Sequence, residues 1–442
     1  MKRILVYSHD TYGLGNIRRM LEIAEHLANA KSGVSVLLIT GSPMAHAFRI
    51  PPGVDYVKLP CIGRTETSKK VVKSLHLDYD EVIRLRADII LKAALGFRPD
   101  VIVVDKKPLG IGNELELALN ALRYTSKPPK TVLLLRDILD APAATIREWE
   151  DGGYHHSIDE LYDKVLIVGT EQIFDAVREY RFPATTARKV EYCGYIARPT
   201  PSKSPEQVRS EWGVGKDPLV LVTAGGGADG FSVMSNYLQG LALRPQRGFK
   251  TLMILGPEMS ADKRGELTRR ASSCGDVIVK EFSDDMISAM NAADLVVSMG
   301  GYNTVCELLT LKKKAIVVPR SLPVQEQSIR AGRMQDIGLF RTVHSCALTP
   351  EVLIGAVEEE LGRANVYNHA LHQFKMDGLP RIGQSIAALF GKRKPKQRNL
   401  NTQRKIMPMT GLRFVAKDNV IATSAEIWKR RPFSGQLSQG AR

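Results

Sequence analysis

Five short segments of this 442-residue chain combine residue types able to hold an anion, a sugar or a nucleobase. The first is Asp10-Thr11-Tyr12-Gly13-Leu14-Gly15-Asn16, between an apolar run at 4–8 and a helix-spaced series, Ile17, Met20, Leu21, Ala24, Leu27 and Ala28. Gly13 and Gly15 let the backbone turn tightly and approach a ligand, and free amides at a helix start attract anions. The third glycine of the dinucleotide fingerprint is missing and Arg18-Arg19 follow, so a plain strand-to-helix turn stays open. The second segment, Gly225-Gly226-Gly227, comes after another apolar run. Three glycines in a row cost conformational entropy unless unusual dihedrals or close approach require them, which favours a phosphate cradle over a mere turn. No Gly-Lys-Ser/Thr comes next, so it is not a P-loop.

The other three segments lie downstream. In Glu281-Phe282-Ser283-Asp284-Asp285-Met286, the two aspartates read as helix-start carboxylates, while Phe282 and the Ser283 backbone could read a base edge. In Gly300-Gly301-Tyr302-Asn303-Thr304-Val305-Cys306-Glu307, the carboxylate of Glu307 stands one helical turn beyond Asn303 and Thr304. A carboxylate accepting two hydroxyl donors is how a ribose is usually gripped, and an ordinary solvated glutamate is the alternative. Glu326-Gln327 offers an acceptor and a donor for sugar hydroxyls, although read alone the two are surface polar residues. Asp78-Tyr79-Asp80 spells a metal-holding Asp-x-Asp, but an amphipathic helix begins there and capping explains it better. His155-His156 has no partner at metal-ligand spacing and reads as a polar loop.

The elements that must position these segments alternate. Apolar runs at 4–8, 34–40, 54–59, 101–104, 131–135, 164–168 and 191–195 read as strands, with helical periodicity at 80–95. Residues 197–205 hold three prolines in a polar stretch and suit a linker. The alternation restarts at 219–223, 251–255, 277–281, 294–298 and 315–319. The expected architecture is α/β: two Rossmann-like doubly wound domains facing a cleft, with ligands at the carboxyl ends of the strands. The boundaries expected are 1–196 for an acceptor-side domain, 197–205 for the linker, 206–375 for a nucleotide-sugar domain, 376–391 for a closing helix and 392–442 for a basic, disordered tail.

Charge and cysteine usage narrow the class. The chain carries +15, yet residues 392–442 hold thirteen Lys/Arg against Asp418 and Glu426, so +11 belongs to the tail and about +4 to the body. A near-neutral body argues against nucleic acid, and the aromatics of the tail, Phe414, Trp428 and Phe433, are scattered. Five cysteines, at 61, 193, 274, 306 and 346, lie too far apart for a zinc or disulfide framework. The first apolar run is too short for a signal-peptide core and no window is apolar enough to span a bilayer, so a cytoplasmic protein, peripheral at most, is expected.

From Glu281 onward the motifs occur in a fixed order: Glu281-Phe282-x-Asp284-Asp285-Met286, Ala293-Asp294-Leu295-Val296-Val297-Ser298, Gly301-x-x-Thr304-Val305-x-Glu307 and Glu326-Gln327-x-x-x-Ala331. This run resembles the C-terminal domain of family 28 glycosyltransferases, the nucleotide-sugar half of the GT-B fold, over about residues 220–335. The resemblance implies a base beside Phe282, Ser283 and Met286, a ribose on Glu307, and a diphosphate on Gly225, Gly226 and Gly227. It also implies a cleft at Gly301 and Thr304, a donor sugar near Glu326 and Gln327, and an interdomain arginine, Arg198, near the diphosphate. Relatives usually have histidine where this chain has Asn16, an amide that can orient a hydroxyl but cannot take its proton. His9 and Asp10, at the end of strand one, are the other catalytic candidates.

The expected activity is inverting, metal-independent transfer of a hexosyl group from a nucleotide diphosphate sugar, a UDP-sugar by resemblance, to a hydroxyl acceptor. No cofactor is expected. A lipid-linked acceptor and an anionic membrane surface bound through the tail fit the same resemblance. A non-catalytic nucleotide-sugar sensor and a sugar-nucleotide epimerase are the alternatives.

Overall fold

Parallel pairing of the apolar runs builds two sheets, as seen in a computed structural model that describes residues 2–10, 15–29, 33–64 and 70–390. Gly13 and the whole basic tail lie outside the described residues. The strands are β1 (Lys2–Ser8), β2 (Val34–Thr40), β3 (Val54–Lys58), β4 (Ile62–Arg64), β5 (Lys70–Val72), β6 (Val101–Asp105), β7 (Lys130–Arg136), β8 (Lys164–Val168) and β9 (Val190–Tyr192) in the first half. In the second half they are β10 (Leu219–Thr223), β11 (Lys250–Ile254), β12 (Val277–Lys280), β13 (Leu295–Ser298), β14 (Ala315–Val317) and β15 (Arg341–Thr342). The first sheet runs β3-β2-β1-β6-β7-β8-β9 and the second β12-β11-β10-β13-β14-β15. Every pairing within them is parallel; among the described strands the β4–β5 hairpin alone is antiparallel.

Helices cover both faces of each sheet, so the strands are apolar throughout rather than alternating. Leu5 sits in register between Leu37 and Ile102, and Leu221 between Leu252 and Val296, all but Leu37 fully buried. The order of each sheet reverses beside its first strand, β1 in one and β10 in the other. A crevice opens at such a reversal, outside the carboxyl ends of the strands. Both glycine loops leave these two strands, which places them at the crevices.

The helices that matter for the site are α1 (Gly15–Asn29), α2 (Tyr79–Phe97), α3 (Pro205–Glu211), α4 (Met286–Ala292), α5 (Tyr302–Thr310), α6 (Glu326–Asp336) and α7 (Gly378–Ala388). Asp78 caps α2 and its backbone N–H donates to Glu81 at 3.1 Å, a capping box. The Pro-rich stretch is not all linker. Its third proline, Pro205, opens α3, and Ser204 and Gln207 bond reciprocally at 2.8 and 3.3 Å.

After the second sheet the chain returns to the first half. Gly378 donates its N–H to the Tyr195 carbonyl at 2.9 Å, and Ile196 forms an antiparallel bridge with Asp377. Helix α7 then packs on α1, where Gly383 lets the backbone approach His26, and Lys2 Nζ lies 5.1 Å over the Phe390 ring. The β4–β5 hairpin and β15 carry no signal in the sequence, because strands of two or three residues are too short to show a period.

Candidate functional site

The carboxyl ends of both sheets face a common cavity of about 600 Å³. From the second half it is lined by Gly225, Gly226, Gly227, Phe282, Ser283, Met286, Gly301, Thr304, Glu307, Glu326 and Gln327. Gly15 and Asn16 line it from the first half, together with Arg18, Arg19 and Arg136. The size suits a drug-sized or nucleotide-sized ligand. Eleven nucleotide-sugar candidates and two strand-one candidates therefore converge. His9, Asp10 and Arg198 do not reach the wall.

The glycines have separable causes. Gly227 has φ +94° and Gly256 φ +95°. A Cβ on Gly227 would meet the Leu255 carbonyl at 2.4 Å, and one on Gly256 the Gly225 carbonyl at 2.6 Å. The loops after β10 and β11 thus interlock backbone to backbone, and Glu258 N donates to the Gly226 carbonyl at 2.8 Å. Close approach to a neighbouring loop, rather than to a ligand, accounts for Gly227. Gly301 differs: with φ −63° and nothing within 4 Å of an added Cβ, it caps α5 with no side chain of its own. The amides of the first turn of α5 therefore open on the cavity, where a helix start favours negative charge.

Phe282 is 58% exposed, a large aromatic face held beside the cavity. Asp285 caps α4, accepting from Ser288 N at 3.1 Å, as a helix-start carboxylate should. Glu326 and Gln327 are buried, not the surface polar residues they resemble in isolation. Glu326 pairs with Arg136, from the end of β7, at 2.8 Å. Burial alone would raise its carboxyl, but Arg136, Arg330, Lys106 and Arg320 together hold it below its ordinary range.

Arg198 is not on the cavity wall. Its side chain is wholly buried, paired with Glu22 of α1 and bonded to the Asn303 side chain of α5. Asn303 in turn donates to the Gly15 carbonyl at 3.2 Å, so Arg198 locks two helix starts together. Two further pairs join the halves. Arg330 of α6 grips Asp137 through two bonds of 2.6 and 2.8 Å, donates to the Gly300 carbonyl at 2.8 Å and lies over the Tyr302 ring. Arg18 of α1 meets Glu307 of α5 at 2.8 Å, so the expected ribose carboxylate is buried behind an arginine.

The strand-one candidates form a layered cluster. Asn16 Nδ2 donates to the His9 carbonyl at 2.5 Å, and Arg19 donates to Asn16 Oδ1 at 3.3 Å and to the buried Asp105 at 2.7 Å. His9 N donates to Asp105 at 3.3 Å, and Thr40 donates to Asp10 at 2.5 Å. Burial pushes the Asp10 carboxyl up to about 6, against the opposing hydrogen bonds of Thr40 and Ser8. Of His9, Asp10 and Asn16, only Asn16 reaches the cavity, and its amide bonds the His9 carbonyl behind it.

Residues 219–382 match the glycosyltransferase family 28 C-terminal domain. The match takes in most of the second half. A Haemophilus influenzae protein named UDP-N-acetylglucosamine–N-acetylmuramyl-(pentapeptide) pyrophosphoryl-undecaprenol N-acetylglucosamine transferase is 32% identical over 114 residues. That alignment takes 26% of this chain and 32% of the relative. A Corynebacterium glutamicum protein of the same name is 28% identical over 151 residues, 34% of this chain and 40% of its own. The chain thus matches well under half the length of these relatives. Solved structures extend the likeness to both sheets. A Rickettsia africae glycosyltransferase superposes with a TM-score of 0.61 at 14% identity, covering 87% of this chain and 98% of its own. Acinetobacter baumannii MurG gives 0.57 at 14%, covering 88% and 100%. The fold is the GT-B fold, two Rossmann-like halves about a cleft.

The eleven converging second-half candidates all lie within the residues that match the family 28 C-terminal domain. The first half contributes Arg18, Arg136 and the Arg19–Asp105 pair, none of which the motifs place. Arg18-Arg19 is visible in the sequence only as an interruption of the glycine pattern. Nothing in the sequence marks Arg136 or Asp137, since an arginine and an aspartate ending a strand show no periodic signal.

Proposed function

We propose that this protein is a glycosyltransferase that moves a sugar from a UDP-sugar to a hydroxyl acceptor, inverting the anomeric carbon and using no metal. One observation carries the reading: the family 28 domain puts Glu307, the 225–227 loop and the open start of α5 on one cavity wall. Glu307 would take the ribose hydroxyls, with the base against Phe282 and the Ser283 backbone. Amides of the 225–227 loop and of the α5 start would stabilise charge developing on the diphosphate as the glycosidic bond breaks. The sugar would face Gln327 and the Arg136–Glu326 pair. Of the catalytic candidates His9, Asp10 and Asn16, Asn16 is the one at the wall, able to orient an acceptor hydroxyl. Asp10, its carboxyl pushed up to about 6 by burial, lies behind that wall.

The relatives' names supply the first donor to try, UDP-N-acetylglucosamine, and support a lipid-linked acceptor met at a membrane surface. Among the described residues no helix is long and apolar enough to cross a membrane. A nucleotide-sugar sensor is the second reading, favoured by the neutral Asn16 where relatives carry histidine. The test is calorimetry of the full chain with UDP, then UDP release from a panel of UDP-sugars with hydroxyl acceptors. Glu307→Ala should bind UDP more weakly by about 1.5–3 kcal/mol while keeping its fold. Binding without release in any pairing would favour the sensor, and an absence of UDP binding in the wild type would remove the nucleotide reading.

A further inference from the structure

The ribose carboxylate already has an occupant. Glu307 is 3% exposed because the Arg18 guanidinium covers it at 2.8 Å from one helix to the other. Arg18 itself is 38% exposed and lines the cavity, so it is the member of the pair with space to turn into. Behind Glu307 stands Arg198, buried, paired with Glu22, bonded to Asn303 and off the cavity wall. The arginine expected at the diphosphate is therefore spent on structure, and the one covering Glu307 is available.

The destination lies close by. Thr304 Oγ1 is 3.5 Å from the point where a Cβ on Gly225 would stand, so the glycine loop touches the first turn of α5. Glu307 lies three residues beyond Thr304, an axial rise of about 4.5 Å. An arginine side chain anchored on Glu307 can cover that span by changing rotamer while α1 stays in place.

Resting on the nucleotide reading above, we infer that Arg18 is an exchangeable counter-ion. It holds Glu307 in the empty protein, yields it to the ribose hydroxyls, and turns to the diphosphate as nucleotide enters. The pair keeps a buried carboxylate from standing uncompensated when the cavity is empty. The same arginine then supplies the positive charge that Arg198 cannot.

This exchange has a signature that a merely structural arginine lacks. Removing Arg18 takes away a competitor for the ribose site and a partner for the phosphates, so a nucleoside and its diphosphate must respond in opposite directions. Uridine and UDP are titrated into full-length wild type, Arg18→Ala and Arg18→Lys, by ligand-observed NMR and calorimetry, with circular dichroism checking the fold. Arg18→Ala should bind UDP about 10- to 100-fold more weakly, as for a lost charge-assisted hydrogen bond. It should bind uridine as well as wild type or up to about fivefold more tightly, since the guanidinium that competes with the ribose hydroxyls for Glu307 is gone. Arg18→Lys should recover part of the UDP affinity, because an ammonium still offers a point charge. Equal weakening of both ligands, or no change in UDP affinity, overturns the exchange while leaving the nucleotide site standing. A wild type that binds neither ligand overturns the site itself.

Discussion

Replacing Asp137 by alanine strips Arg330 of the carboxylate that neutralises it. Asp137 and Arg330 are 1% and 0% exposed in their side chains, and two bonds of 2.6 and 2.8 Å link them across the halves. Without Asp137 the guanidinium keeps the Gly300 carbonyl, the Tyr302 ring and the field of Glu326, and Tyr195 loses the acceptor it reaches at 2.8 Å. Breaking one side of a buried pair typically costs about 3–5 kcal/mol, because a desolvated charge is left over. Arg330→Met should cost a similar amount, stranding Asp137 with the Tyr195 hydroxyl alone. The double variant Asp137→Leu/Arg330→Met removes both charges and should return to within about 1–2 kcal/mol of wild type. The assay is equilibrium unfolding in urea, which adds no screening salt. Trp149 in the first half and Trp212 in the second report whether both halves lose stability together. Single losses below about 1 kcal/mol, or a double variant equal to the sum of the singles, would refute the claim that a desolvated ion pair joins the halves.

Particular atoms set the other expectations. Gly301→Ala, at φ −63° with open space around its Cβ, should leave stability unchanged or raise it by up to about 1 kcal/mol while weakening UDP binding. Gly227→Ala should instead destabilise the loop by more than about 1 kcal/mol, since its Cβ meets the Leu255 carbonyl at 2.4 Å in a positive-φ backbone; thermal melts and calorimetry of both variants separate the two causes. Burial raises Asp10 to about 6 in the folded chain, so the fold holds this proton at pH values where the unfolded chain, with a pKa of about 3.9, has released it. That contribution is present at low pH and lost as pH rises through 6. Asp10→Asn should therefore gain on wild type by about 2–3 kcal/mol between pH 4 and pH 7.5 in urea unfolding, and a difference independent of pH would exclude a buried, protonated Asp10.

The sheets were legible because their strands are buried on both faces and so read as unbroken apolar runs, such as Val101–Asp105. The glycine loops were legible as positions for the same reason, each coming directly after such a run. Their causes were not. Gly227 answers to Gly256, a residue of no apparent interest in the sequence, and only the folded backbone brings the two together. Glu307, which the motifs single out, lines the cavity, yet its partner Arg18 is 289 positions away in sequence, beyond the reach of any local pattern. Glu326 and Gln327 looked like surface residues because helical spacing alone does not show what another half will cover. Arg198 was expected at the cavity from likeness, and Glu22 and Asn303 explain why it is not there.

The chain passes between the halves twice, and the two passages touch. Tyr195 and Ile196 on the way out bond to Gly378 and Asp377 on the way back. They can lie this close because Gly378 has no Cβ to strike the Tyr195 carbonyl, which would stand 2.7 Å away, and Gly194 takes φ +83°. A single tether would let one half twist freely against the other. Two stitched side by side restrain that twist, and the Arg18–Glu307, Arg136–Glu326 and Arg330–Asp137 pairs add three further points at which the halves are held together.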